Sequence, residues 1–119
     1  MAEPICITPA PGRYRVRVGA MVIGETDQAL FLAEAGHDPV IYVPRADMNM
    51  ALLEPTAQRS MCPWKGEASY FSVLAPGGRL ENAVWSYATP IAGRAAIAGH
   101  LAFYPWVTVE PVSAAATTR

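Results

Sequence analysis

The residues of this chain best suited to chemistry gather around Cys62-Pro63-Trp64-Lys65-Gly66, Trp85-Ser86-Tyr87 and the run from His100 to Trp106. All 3 tryptophans of the protein fall in these stretches. Trp64, Tyr70, Trp85, Tyr87 and Tyr104 are rings that can wall a pocket for a flat or cationic small molecule, because stacking and cation–π contacts add to the burial of apolar area. The same rings on alternating strand positions can equally fill a core. Their polar tips favour a pocket, since each tip needs a hydrogen-bond partner or water. Lys65 suits an anionic group, and Gly66 beside it lets backbone approach a ligand or simply turns the chain at positive φ. Arg45 is a second anion grip, because its guanidinium fork binds two oxygens at once. A surface ion pair with the neighbouring Asp47 or Glu54 is the plainer role for it. Cys62 is a nucleophile only if His100 reaches its sulfur as a base. Otherwise it is a small apolar residue at a corner set by Pro63.

The elements that position these groups read as strands. Residues 13–18 alternate, with Tyr14, Val16 and Val18 on one side and Arg13, Arg15 and Arg17 on the other, which predicts a half-buried strand with its arginines in water. Gly19-Ala20 is a tight turn and residues 21–23 are the return strand. Thr26-Asp27 can cap a short helix through Glu34, stopped by Gly36, though extended structure also fits this segment. Residues 39–43 read as a buried strand, residues 46–53 as one helical turn and residues 55–63 as a polar connector. Residues 68–74 and 79–87, joined at Pro76-Gly77-Gly78, form an antiparallel hairpin. A helical turn is expected within residues 90–96, followed by strands at 100–104 and 107–109. Short strands with frequent Gly and Pro punctuation make a mainly β domain.

Composition narrows the function classes. A chain of 119 residues is one domain with room for a core. Its 52% hydrophobic and 16% charged content is that of a globular protein. A net charge of −1 with no basic cluster disfavours nucleic acid. Cys6 and Cys62 are too few for a disulfide framework or a zinc knuckle, and neither His37 nor His100 completes a metal-ligand spacing. The expectation is therefore no metal and no cofactor. No apolar run reaches membrane-spanning length and the start lacks a secretory pattern, so a cytoplasmic setting without a membrane is expected. Residues 1–12 read as a proline-punctuated lead-in, 13–112 as the domain and 113–119 as a frayed tail.

Tyr42-Val43-Pro44-Arg45-Ala46-Asp47, the Cys62-to-Tyr70 block, Asn82-Ala83-Val84-Trp85-Ser86-Tyr87 and Ile97-Ala98-Gly99-His100 through Tyr104 together resemble the bacterial domain-of-unknown-function family 427, from about Arg13 to Val109. The resemblance implies a β-tent domain: two antiparallel sheets meeting at an angle, with one to three short helical turns. That fold is shared with the thalidomide-binding domain of cereblon, the Yippee proteins and the B-type methionine sulfoxide reductases. Such relatives pin their sheets with zinc held by two Cys-x-x-Cys pairs. This chain has no such pairs, so packing must hold it together. Trp64 and Trp85 invite comparison with cereblon's tryptophan cage, an analogy of fold alone. The family also carries a nucleotidyltransferase label. That chemistry needs clustered carboxylates around magnesium and a phosphate cradle, whereas Asp27, Asp38, Asp47, Glu54, Glu67 and Glu81 are scattered.

The expectation from sequence is a small-molecule-binding module with Trp64, Lys65, Tyr70, Trp85, Tyr87, Tyr104 and Arg45 around the ligand. The alternatives are an enzyme using Cys62 or Lys65, and an interaction module whose rings form an exposed patch. Whether it self-associates is left open.

Overall fold

The computed structural model describes residues 5–112. These form ten strands and three single-turn 3-10 helices. The strands are β1 (Ile5–Pro9), β2 (Tyr14–Val18), β3 (Met21–Thr26), β4 (Leu30–Glu34), β5 (Val40–Tyr42), β6 (Leu53–Cys62), β7 (Gly66–Ala75), β8 (Gly78–Ser86), β9 (Leu101–Phe103) and β10 (Thr108–Pro111). The helical turns are Arg45–Asp47, Met50–Leu52 and Ala95–Ile97. The domain is mainly β, and hydrogen bonding sorts it into three antiparallel sheets: β1-β4-β5, β10-β2-β3 and β6-β7-β8-β9.

Single bridges join the sheets. Val43 and Leu101 exchange both backbone hydrogen bonds, at 2.9 and 2.8 Å, which ties the β5 edge to the β9 edge. Gly24 bridges Met48, where a Cβ on Gly24 would run into the Met48 sulfur and stand 3.0 Å from the Asp47 carbonyl, so glycine lets the two segments approach without either one shifting.

The four-stranded sheet separates two cores because strand side chains alternate between faces. Phe71, Val73, Val84 and Leu101 point to one side, against Val16 and Ile23 of the β10-β2-β3 sheet. Tyr70, Trp85, Tyr87 and Ala102 point to the other, against Leu32 and Tyr42 of the β1-β4-β5 sheet. Trp85 and Tyr70 are direct cross-strand partners, and Trp85 also pairs with Ala102, whose small side chain leaves room for the indole.

The β7–β8 hairpin and the β2–β3 hairpin form as the alternation predicts. The arginines of β2 face outward and are paired: Arg15 with Glu25 at 2.9 Å and Arg17 with Glu110 at 2.8 Å. These hydrogen bonds lower the carboxyl pKa of both glutamates, though all four groups stay wet.

Three segments differ from the sequence reading. Thr26 does not cap a helix. Its hydroxyl donates to Asp47 at 2.6 Å and accepts from the Gln28 amide, and the apolar run that follows pairs as β4 between β1 and β5. The polar connector is β6, an edge strand exposed on both faces at its middle, so no hydrophobic alternation marks it. Within the lead-in, Ile5–Pro9 is β1, an edge strand that tolerates Pro9 because its outer side needs no ladder bond. Residues 113–119, read as a tail, lie outside the described residues.

Candidate functional site

The β6–β7 loop sets the first part of the site. Pro63, Trp64 and Lys65 span the gap between the paired residues Cys62 and Gly66, with the Lys65 amide donating to the Cys62 carbonyl at 3.1 Å. Gly66 has φ +115, a backbone conformation that side-chain-bearing residues rarely adopt, while a Cβ there would meet Pro90 and Ile91 only at ordinary contact distance. The turn role of Gly66 is thus what the structure uses. Ile91 donates its amide to the Lys65 carbonyl at 2.9 Å, so the loop after β8 closes over this corner.

Lys65 turns inward and is only 9% exposed. Its Nζ donates to Glu34 Oε1 at 3.1 Å and sits 5.8 Å from the centre of the Tyr87 ring. A buried ammonium needs such a partner, because desolvation otherwise outweighs what it gains. Glu34 shares the inward face of β4 with Leu30 and Leu32, four and two residues before it. Cys62 and Tyr42 pack into the same cluster. Burial is the main reason the Tyr42 phenol is pushed up to about 12. Burial likewise raises the Tyr87 phenol, more strongly than any neighbouring charge does.

The second part is a ladder of rings. Trp85 donates its indole N–H to the Tyr42 hydroxyl at 3.3 Å, which fixes the ring. Its centroid lies 4.7 Å from that of Tyr104, and Tyr104 stacks on Trp106 at 5.4 Å and 10°. Behind them Tyr70 bonds Ser60 through its hydroxyl at 2.7 Å. Burial, followed by a hydrogen bond with Tyr70, raises the Tyr104 phenol.

Beside this ladder a crevice of about 270 Å³ opens between β5 and β9. Pro39, Val40 and Ile41 form one wall, and Phe103, Tyr104 and Pro105 the other. Trp85, Val107 and Val109 complete it, so no charged side chain lines it.

The sequence candidates therefore divide. Lys65 and Tyr87 meet, and Tyr70, Trp85 and Tyr104 meet. Trp64 is 37% exposed in its loop and makes no ring contact with Trp85. Arg45 sits 5.6 Å over Phe71, a ring of the opposite core, and so is on the far side of the sheet from Lys65. His100 places Nδ1 at 3.2 Å from the Ala98 carbonyl and its own carbonyl accepts from Ser86; no hydrogen bond joins it to Cys62. Glu34 and Tyr42 were not among the candidates, and Trp106, though part of the aromatic run, was not assigned to the ligand. Glu34 was legible once residues 30–34 were read as a strand, since alternation places it beside Leu32.

Among the described residues no three His, Cys, Asp or Glu side chains gather as a metal site requires, and no helix is long and apolar enough to cross a membrane.

No curated protein matches this chain. Its sequence matches the family described as a domain of unknown function, DUF427, over residues 6–113, which takes in all ten strands, the Lys65 corner and the ring ladder but for the first residue of β1. The chain belongs to DUF427.

Proposed function

We propose that the protein binds a small molecule in the crevice between β5 and β9, with Trp85 and Tyr104 as its ring walls. The observation that carries this reading is the pairing of a held indole with an apolar cleft. Trp85 is anchored through its N–H to Tyr42 and through its face to Tyr104, yet it still lines the cleft. A ring fixed before the ligand arrives loses little rotamer entropy on binding. The cleft volume lies just below the roughly 300–1,000 Å³ of drug-sized sites, which suits one or two fused rings.

Lys65 and Tyr87 support the site from behind. Because Lys65 is engaged by Glu34, its role in this reading is to hold the β4 sheet against the β6–β7 corner, not to grip an anion.

The test is tryptophan fluorescence in a Trp64→Phe, Trp106→Phe background that leaves Trp85 as the reporter. The panel is indole, nucleobases, nucleotides, cyclic imides and aromatic carboxylates. Saturable quenching by a ring compound, abolished by Tyr104→Ala with the fold retained, is the expected result. A flat response across the panel would remove the reading.

A further inference from the structure

The crevice exists because two strands start to pair and then part. Val43 and Leu101 form an antiparallel pair, and continuing that register would place Ile41 opposite Phe103. Among the described residues no second pair forms between β5 and β9. In an antiparallel ladder the backbone N–H and C=O of successive residues point alternately to the two sides of the strand. Val43 bonds toward β9, so Tyr42 and Val40 turn to β4 and Ile41 turns to β9 again. On the other strand the Tyr104 amide donates to the Ala83 carbonyl of β8 at 2.9 Å while Leu101 bonds to Val43, so Phe103 turns to β5. Ile41 and Phe103 thus aim a backbone donor and acceptor at each other across an apolar cleft, where no strand pairing consumes them. Backbone polar groups that no strand partner takes bond water or a ligand instead, and both residues are half-buried, so either can reach them.

From this, and resting on the reading of the crevice as a ligand site, we infer that the ligand is an uncharged planar ring carrying an N–H beside a C=O, that is, a lactam-type edge. One adjoining donor and acceptor on the ring matches the adjoining acceptor and donor of a single strand residue. Trp85 and Tyr104, which touch each other, present one ring wall to the ligand, and the strand edges take its polar rim. A carboxylate or phosphate is rejected, because no cation lines the cleft and an unpaired charge there is costly to desolvate.

The experiment is a titration of the full chain with carbostyril, its N-methyl derivative and quinaldate, followed by nitrogen–proton correlation spectra and calorimetry. Carbostyril should saturate and shift the amide signals of Ile41 and Phe103 together with the Trp85 indole signal. The N-methyl derivative keeps the ring but lacks the donor, so it should bind about tenfold more weakly, the cost of one unmade hydrogen bond at a half-buried strand edge. Quinaldate should not bind. Equal affinity for carbostyril and its N-methyl derivative, or a shifted Trp85 with Ile41 and Phe103 unmoved, would overturn the lactam assignment while sparing the site. Silence at Trp85 with every ring compound would overturn the site itself.

Discussion

The two faces of the β6-β7-β8-β9 sheet solve the same packing problem with different chemistry. Toward β10-β2-β3 the core is nearly all aliphatic, with Val16, Ile23, Val43, Val73, Val84 and Leu101 buried without a polar atom beyond the backbone. Toward β1-β4-β5 the core is built of Tyr42, Tyr70 and Tyr87 with Trp85 at its margin, and it holds a lysine–glutamate pair. Aliphatic side chains achieve burial at no polar cost. The phenols and the ion pair each need a partner, and a core that needed only stability would not require them. The difference is why the proposed site is placed on the ring-bearing face: one face of the sheet is packed with aliphatic side chains and the other holds polar groups in fixed positions.

The largest effect expected from this contrast is in alkali. Of the two faces, the ring-bearing one holds the buried tyrosines. The folded Tyr42 phenol is held near 12 against an ordinary 10.0, and Tyr87 is raised as well. A raised folded value means that the stabilisation is present below the unfolded value of about 10 and is lost as the pH rises through the folded one. Two units at about 1.4 kcal/mol each give roughly 3 kcal/mol from Tyr42 alone. Stability should fall steeply above pH about 10, and Tyr42→Phe should move the alkaline midpoint upward. Tyrosinate absorbance and fluorescence measured together check this. Ionisation of all five tyrosines at ordinary pH while the fold persists would contradict it.

On the aliphatic face the effect is steric and independent of pH. Leu101 is fully buried at the seam where β9 meets Val43. Leu101→Ala should cost about 3 kcal/mol, within the ~2–5 kcal/mol of such truncations. Across the sheet, Tyr70→Phe deletes the hydroxyl that bonds Ser60 and Tyr104 and leaves the ring in place, so it should cost about 1 kcal/mol. Urea midpoints for the two variants rank the faces. A Tyr70→Phe loss equal to that of Leu101→Ala would mean that the phenol network, not the aliphatic core, anchors the sheet.

The same contrast explains what the sequence revealed. The β7–β8 hairpin was legible because its strands alternate and Pro76-Gly77-Gly78 can only turn. Strand β6 was hidden because the middle of an edge strand, wet on both faces, carries no period. Strand β4 was hidden because a short apolar run ending in Glu34 fits a helix until β1 and β5 flank it. Of the site, Trp85, Tyr104 and Lys65 stood out by residue type alone. Glu34 and Tyr42 did not, since their roles arise from contacts 31 and 43 positions away in the chain. Arg45 was placed with the wrong face because nothing local records on which side of β7 the chain passes after Val43.

The finest probe of the comparison is the ion pair itself. Lys65 and Glu34 side chains remain 11% and 21% exposed, so water moderates the cost of separating them. Lys65→Met should cost about 2 kcal/mol, less than the ~3–5 kcal/mol of a wholly buried pair, because it strands Glu34 against the rings. Adding Glu34→Gln should recover most of that loss, since removing both charges also removes the desolvation they suffer. The double-mutant cycle then gives a coupling above about 1 kcal/mol. If the two substitutions simply add, Lys65 is held by its packing on Tyr87 and the polar character of this face owes nothing to the pair. If they couple and Lys65→Met also weakens ligand binding at unchanged Trp85 fluorescence, the pair positions the β4 sheet against the crevice. That outcome separates a supporting lysine from one that meets the ligand, because direct contact would make binding depend on the lysine charge even in the Glu34→Gln background.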